Sequence, residues 1–317
     1  MAFFSRFSAI AAGLVLSCAA VSSAQAASAI DYDVVAFGNF TSSNTEVNGA
    51  LAVGGNANVA NFSVGKDLAA GYNGASLAVG QNLTYNNGQV FRGNAVVGGT
   101  ITASGFNVLN GTKTQNAASP VNFGSEFTRL SDISTFIASL ENNGTVAKPG
   151  ALRLTGTNST LNVFTLDAAN QNFGSGFELF IPEGSVAVIN VTGTSFTTQY
   201  PGQFSINGKT IVNNSAGLAS SILFNFADAT DITLMGSWAG NILAPNANVT
   251  AANGGFFGSL IANNVTSSTE FYMGRFSGYD RVTPPAVPEP ATWAMMIAGF
   301  GLVGSMMRRR TTKAAVA

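Results

Sequence analysis

The chain has no histidine and one cysteine, Cys18, in 317 residues. Without histidine there is no imidazole base, no serine–histidine triad and no histidine-ligated metal. Cys18 lies in an N-terminal apolar stretch that reads as a removable signal, so the exported body lacks thiol nucleophiles and disulfides. A body of roughly 250 residues is long enough to hold itself together by core burial and strand hydrogen bonds. Charge is also scarce: 14 basic and 15 acidic residues make up 9% of the chain. An ordinary soluble domain carries about 25%. No basic patch is present to attract nucleic acid, and the carboxylates are scattered rather than paired as a glycan hydrolase requires. The expectation is a protein that is not an enzyme and uses no cofactor or metal. The nearest cation candidate is Asp228 with Asp231, three residues apart on a turn, where capping of turn amides is the more ordinary use.

What is present points to β structure. Hydrophobic residues make up 46% of the chain, with 24 Phe and 36 Gly. An imperfect repeat runs through Leu51-Ala52-Val53-Gly54, Ser63-Val64-Gly65, Leu77-Ala78-Val79-Gly80 and Ala95-Val96-Val97-Gly98, with Val-to-Val intervals of 11, 15 and 18 residues. Short β-branched runs separated by Gly and Asn fit a solenoid whose strands persist while its corner loops vary. A meandering sandwich is the alternative. Between residues 120 and 143, Phe123, Phe127, Leu130, Ile133, Phe136, Ile137 and Leu140 recur every three or four residues. This predicts an amphipathic helix, started near Ser119-Pro120, stopped near Asn142-Asn143-Gly144 and packed on the solenoid flank. Strands return at 177–181, 186–191, 222–226, 232–235, 241–243, 256–262 and 270–273. The predicted fold is mainly β: a β-solenoid or β-helix of adhesin-like type, with one flanking helix and a C-terminal hydrophobic helix.

A solenoid face with regularly placed threonine would suit ordered water or ice. Thr100, Thr102, Thr197 and Thr198 show no regular spacing, which argues against such a face. Tyr72, Tyr85, Tyr200 and Trp238 are candidates for stacking on sugars, with core packing the more ordinary role.

The two ends are targeting segments. Arg6, an apolar run from Phe7 to Val21 and the A-x-A site Ala24-Gln25-Ala26 predict cleavage by signal peptidase after Ala26. A lipoprotein site at Cys18 is the competing reading. Near the other end, residues 291–307 form an uncharged 17-residue stretch followed by Arg308, Arg309 and Arg310. That length is about the minimum that spans a bilayer core. The arginines would remain on the cytoplasmic side and the body outside, as the signal also demands. Losing both ends removes five basic residues and Glu289, leaving 9 basic against 14 acidic.

Pro288-Glu289-Pro290, Trp293, the glycine-bearing stretch and the arginine cluster resemble a PEP-CTERM sorting signal. That resemblance implies recognition at the membrane by an exosortase and a membrane attachment that is transient. The body resembles the choice-of-anchor A family of surface domains, on "VAFGNF", "NVFTLD", "LFNFADATDITLMGSWAGNILAPNANVTAANGGFFGSLIANN" and "EFYMGRFSG". The resemblance implies an adhesin-like β-helical fold with no known catalytic or cofactor-binding residues. The expected organisation is a signal peptide at 1–26, a solenoid domain at 27–283 and a sorting and anchor segment at 284–317. The expected role is structural or adhesive, at the cell surface or in an exopolysaccharide matrix, with a glycan-active or glycan-binding β-helix as the alternative.

Overall fold

A computed structural model of the chain describes residues 26–170, 173–211, 216–284, 296–301 and 303–304. The body is a parallel β-solenoid with three faces, assembled out of sequence order. Strands from Val34–Ala36 to Lys113–Thr114 build an upper stack. Helix α1, Phe123–Ala138, then carries the chain back along one flank. Strands from Leu161–Asp167 to Glu270–Tyr272 build a lower stack, whose last rung docks under the first rung of the upper one. At this seam Val34 opposes Leu260, Phe40 opposes Val265 and Val47 opposes Phe271. The repeat is therefore a stack, as expected, but a discontinuous one.

Three copies of the sequence repeat do align. Leu51, Ala52 and Val53 oppose Leu77, Ala78 and Val79, which oppose Ala95, Val96 and Val97. The fourth, Ser63-Val64-Gly65, ends a strand on another face and lies outside that register. Glycine follows each aligned run because backbones approach closely at this corner. A Cβ on Gly80 would sit 2.3 Å from the Gly54 carbonyl oxygen, and one on Gly98 would sit 2.2 Å from that of Gly80. Four upper strands, Phe40–Val47, Ala57–Val64, Leu83–Val90 and Ile101–Val108, bend around a second corner. There Asn44, Asn61, Asn87 and Gly105 have φ of 57°, 48°, 62° and 67°. Asparagine tolerates this region better than most residues, and here its side chains also link one rung to the next: Asn61 Nδ2 donates to Asn44 Oδ1 and Asn87 Nδ2 to Asn61 Oδ1, each at 2.8 Å.

The lower stack is filled differently. Phe173, Phe177, Phe196, Phe204, Phe224 and Trp238 form one aromatic cluster, with Trp238 4.7 Å from Phe224 and 5.4 Å from Phe173, ring centre to ring centre. A separate five-stranded sheet, containing Leu152–Thr155, Phe177–Phe180 and Phe204–Ile206, closes that side.

Helix α1 starts at Phe123, three residues beyond the predicted Pro120, because Asn122 caps it by accepting from the Ser125 amide at 3.2 Å. It ends at Ala138, short of Asn142. Leu130, Ile133 and Ile137 are buried against Val35, Ala52, Val188, Leu223, Leu243 and Ile261 on the outer side of one face. Two polar pins fix the docking. Asn190 Nδ2 donates to the Ile137 carbonyl at 2.9 Å, and Asn225 Nδ2 to the Ser134 carbonyl at 2.9 Å. At the helix start, Glu126 accepts from the Ala29 amide, the Ser28 hydroxyl and Arg129. Burial raises the Glu126 carboxyl, but these donors outweigh it and leave the group below its usual range.

At the seam, Asp33 is fully buried and accepts from the Ala50 amide at 2.9 Å. Burial pushes its carboxyl above the usual range, against the pull of Arg275, whose Nε lies 3.8 Å away. Beyond Tyr272 the chain runs down past the lower rungs. Ser277 donates its amide to the Ser220 carbonyl at 2.9 Å, Arg281 donates to the Thr160 and Gly184 carbonyls, and Val282 is buried. The tail thus leaves the domain at Pro284, at the lower end.

The predicted C-terminal hydrophobic helix at 291–307 is described only in part. Residues 296–301, 303 and 304 are helical, with Ile297 and Phe300 exposed. Among the described residues no helix is long and apolar enough to cross a membrane.

Candidate functional site

The three faces differ in what they turn outward. One is covered by α1. A second is open, and its rungs pair in parallel with no shift of register: Ser195–Gln199, Asp231–Met235, 248–252, 264–267, 40–43, 57–60, 83–86 and 101–104. Residues two apart on a strand share a face. The middle outward column therefore reads Thr197, Thr233, Thr250, Thr266, Thr41, Asn58, Thr84 and Thr102. Threonine fills seven of its eight positions. Thr41, Thr102, Thr197, Thr250 and Thr266 are exposed, and Thr84 and Thr233 are half-buried.

This overturns the expectation that the threonines lack regular placement. Their sequence intervals are irregular because corner loops differ in length and because the stack is built from two separated stretches. In space, Thr197 and Thr102 are opposite ends of one column. Thr100 lies at its margin, and Thr198 points inward and is buried. The signal was in the sequence, but only strand register exposes it.

A second column runs along one margin. The Asn264 side chain donates to Asn248 Oδ1 at 2.8 Å. Asn264 Oδ1 in turn accepts from the Asn39 amide at 2.7 Å, Asn39 Oδ1 from Asn56 at 2.9 Å, Asn56 Oδ1 from Asn82 at 3.2 Å, and Asn82 Oδ1 from Thr100 at 3.0 Å. Side-chain ladders of this kind hold a sheet flat against its natural twist. The third column is mixed: Ser43, Ala60, Asn86 and Ser104 above, and Gln199, Met235 and Ala252 below. Asp231, at the margin, is the one charged residue of these columns. Rungs repeat at roughly 4.8 Å and outward residues on a strand at about 6.7 Å, so the face is a grid of hydroxyl and amide groups about 34 Å long.

On one side of the central threonines the inward residues are small. Ala251, Ser267 and Ser42 oppose one another, and the Ser42 hydroxyl is buried without a partner. A shallow trough lies over them, lined by Thr41, Thr250, Thr266 and Ser268 among others.

The other sequence candidates are dispersed. Asp228 and Asp231 are both exposed, and Asp231 accepts from the Thr230 hydroxyl at 2.8 Å. Tyr85 is buried, stacked 4.1 Å from Phe106, and donates to the Phe62 carbonyl at 2.6 Å. Trp238 belongs to the lower core, and Tyr200 stands exposed on a turn. Tyr72 lines a cleft with Asp31, Tyr32 and Arg275 near the chain start. Ala26 is described and exposed. Ala24, Pro288, Glu289, Pro290, Arg308, Arg309 and Arg310 lie outside the described residues.

Two solved structures are similar to the chain. One is an ice-binding protein from the Antarctic ascomycete Antarctomyces psychrotrophicus, at 15% identity, covering 78% of this chain and 96% of that one, with a TM-score of 0.37. The other is an ice-binding protein from an Antarctic biological consortium, at 14% identity, covering 78% and 90%, with a TM-score of 0.38. Among curated proteins no sequence matches. A family profile for the PEP-CTERM protein-sorting motif matches residues 286–310, the mark of an exported surface protein. The profile that matches the body, over residues 25–273, is described as adhesive and does not carry the choice-of-anchor A name. By that match the chain belongs to the ice-binding-like adhesive domain family.

Proposed function

We propose that this exported protein is an adhesin, not an enzyme, and that it grips its target through the open threonine face. The observation that carries the reading is the register of seven threonines and one asparagine across eight rungs. Threonine is stiff at χ1, so its hydroxyl is already placed and loses little freedom on contact. Each contact is weak, but a rigid row engages many at once, and the sum grows as in any multivalent binding. Scarce charge favours the same use, because an ion holds its own water and would oppose contact with an ordered lattice. The target that fits is an extended surface with regularly repeating oxygen atoms. Ice is the one that the family description names, and an exopolysaccharide sheet offers related chemistry. After export, an exosortase removes or exchanges the C-terminal segment at Pro288-Glu289-Pro290, which leaves the acidic body at the surface.

The test is Thr250→Tyr, which raises a ring in the middle of the grid. Partition of the protein into slowly growing ice, and retention on insoluble polysaccharide, should each be compared with wild type. Loss of at least about tenfold in one assay names the target, since a rigid multivalent face loses several contacts together. Unchanged retention in both assays would remove the open face from the proposal. Mass spectrometry of the protein recovered from cells checks processing: a C-terminus at Ala317 on the surface form would contradict removal of the tag.

A further inference from the structure

The two ends of the solenoid are built differently. At the lower end, Thr145–Ala147 pairs antiparallel with Leu152–Thr155, and the tail straps across the lowest rungs before leaving at Pro284. At the upper end the last full strand, Ile101–Val108, pairs below with Leu83–Val90 and has no strand above it among the described residues. Its inward positions show that the core is unroofed there. Leu83, Tyr85 and Val90 are at most 1% exposed, whereas their partners one rung higher, Ile101, Ala103 and Val108, are half-buried, exposed and half-buried. Leu109 beside them is 53% exposed.

An open strand edge is a template for pairing, and proteins ordinarily blunt it with charge, proline or a covering loop. Residues 101–109 contain no charged residue and no proline. Cover comes from two side chains only in part. Gln115 accepts from the Ile101 amide at 2.9 Å, and Lys113 donates to the Phe106 carbonyl at 3.3 Å while lying 4.8 Å from that ring's centre. The segment Thr102–Gly105 between them is exposed.

We propose that this unroofed upper end is a homotypic contact, in which the Thr102–Gly105 edge of one copy pairs antiparallel with the same edge of a second copy. The occupant follows from where the chain leaves the domain. The tail exits at the lower end, so a tethered molecule points its upper end away from its own membrane. Two cells facing each other present two such tips related by a two-fold axis, and that axis sets the edges antiparallel, the better hydrogen-bonded arrangement. A head-to-tail filament would need a free lower edge, but Ser195–Gln199, the lowest strand of the open face, packs against the turns Ala168–Asn170 and Phe173–Ser175. The contact is closed and isologous. It is small, so it acts only where many copies meet many copies. It also prolongs the threonine face from one molecule into the next.

The inference rests on surface display for its orientation but not for the contact itself, so it is tested on beads. Full-length protein is coupled to beads through its C-terminus, and clumping is measured for wild type, Ala103→Lys and Ser104→Lys. Both positions are exposed, and an unchanged thermal midpoint verifies the fold. Wild-type beads should clump, and either variant should reduce clumping at least about tenfold, because each link in a multivalent contact is weakened together. In a two-colour mixture, wild-type beads should clump with one another and leave the variant beads out of the clumps. Absence of wild-type clumping, clumping insensitive to both lysines, or full clumping between wild-type and variant beads would each overturn the proposal. Thr250→Tyr beads separate the two readings: they should clump as wild type does and lose only the retention on ice or polysaccharide.

Discussion

The helix-covered face and the open face come from the same rungs and the same kind of strand, yet they meet opposite fates. On the covered face the outward column carries Leu243, Ile261, Val35, Ala52 and Ala78, all buried. On the open face the matching positions are threonine and asparagine. The difference lies in single outward residues two positions apart, not in backbone or topology. Apolar outward columns recruit the helix. Polar ones keep their water until something better ordered arrives. Even on the covered face, Asn190 and Asn225 sit where the helix offers carbonyl groups, so the buried amides are satisfied and the docking register is fixed.

The comparison can be broken most severely from the helix side. Leu130→Ala, which empties a fully buried site, should cost about 2–5 kcal/mol in urea unfolding. Asn225→Ala comes next. It strips partners from the Ser134 hydroxyl, which donates to Asn225 Oδ1 at 2.6 Å, and from the Ser134 carbonyl, and leaving such groups unpaired costs about 1–3 kcal/mol. Glu126→Gln should have an effect that depends on pH. Because the folded carboxyl lies below its usual range, its contribution is present above the unfolded value and fades as pH falls through the folded one. The gap in thermal midpoint between wild type and Glu126→Gln should therefore close on acidification; a gap that widens would reverse the sign. Smallest is Thr250→Tyr on the open face, expected to move stability by no more than about 0.5 kcal/mol while removing retention. A large loss of stability there would mean that the open face is structural after all.

Much of the fold was legible along the chain. The helix stripe from Phe123 to Leu140, the strands after residue 177 and the aligned Gly54, Gly80 and Gly98 all follow from local period and turn chemistry. The strand predicted at 256–262 is in fact two, Gly255–Phe257 and Leu260–Ser267, separated at Gly258, whose φ of 146° turns a corner. Apolar content runs across that corner, so the pattern alone does not show it. The seam was less legible still. Asp33 and Arg275 are both few-featured in sequence, and their meeting depends on two stacks docking across more than half the chain.

The sequence by itself determined the sorting signal near the C-terminus, the absence of histidine and of any cysteine beyond Cys18, the short strands and their glycine corners. These are local properties, set by residue type and by neighbours within a few positions. Only the tertiary structure decided that threonines at 197, 233, 250 and 266 continue into those at 41, 84 and 102. Loops of unequal length hide that column along the chain. Backbone hydrogen bonding restores it, because parallel pairing fixes which residue lies over which, however far apart they are in sequence.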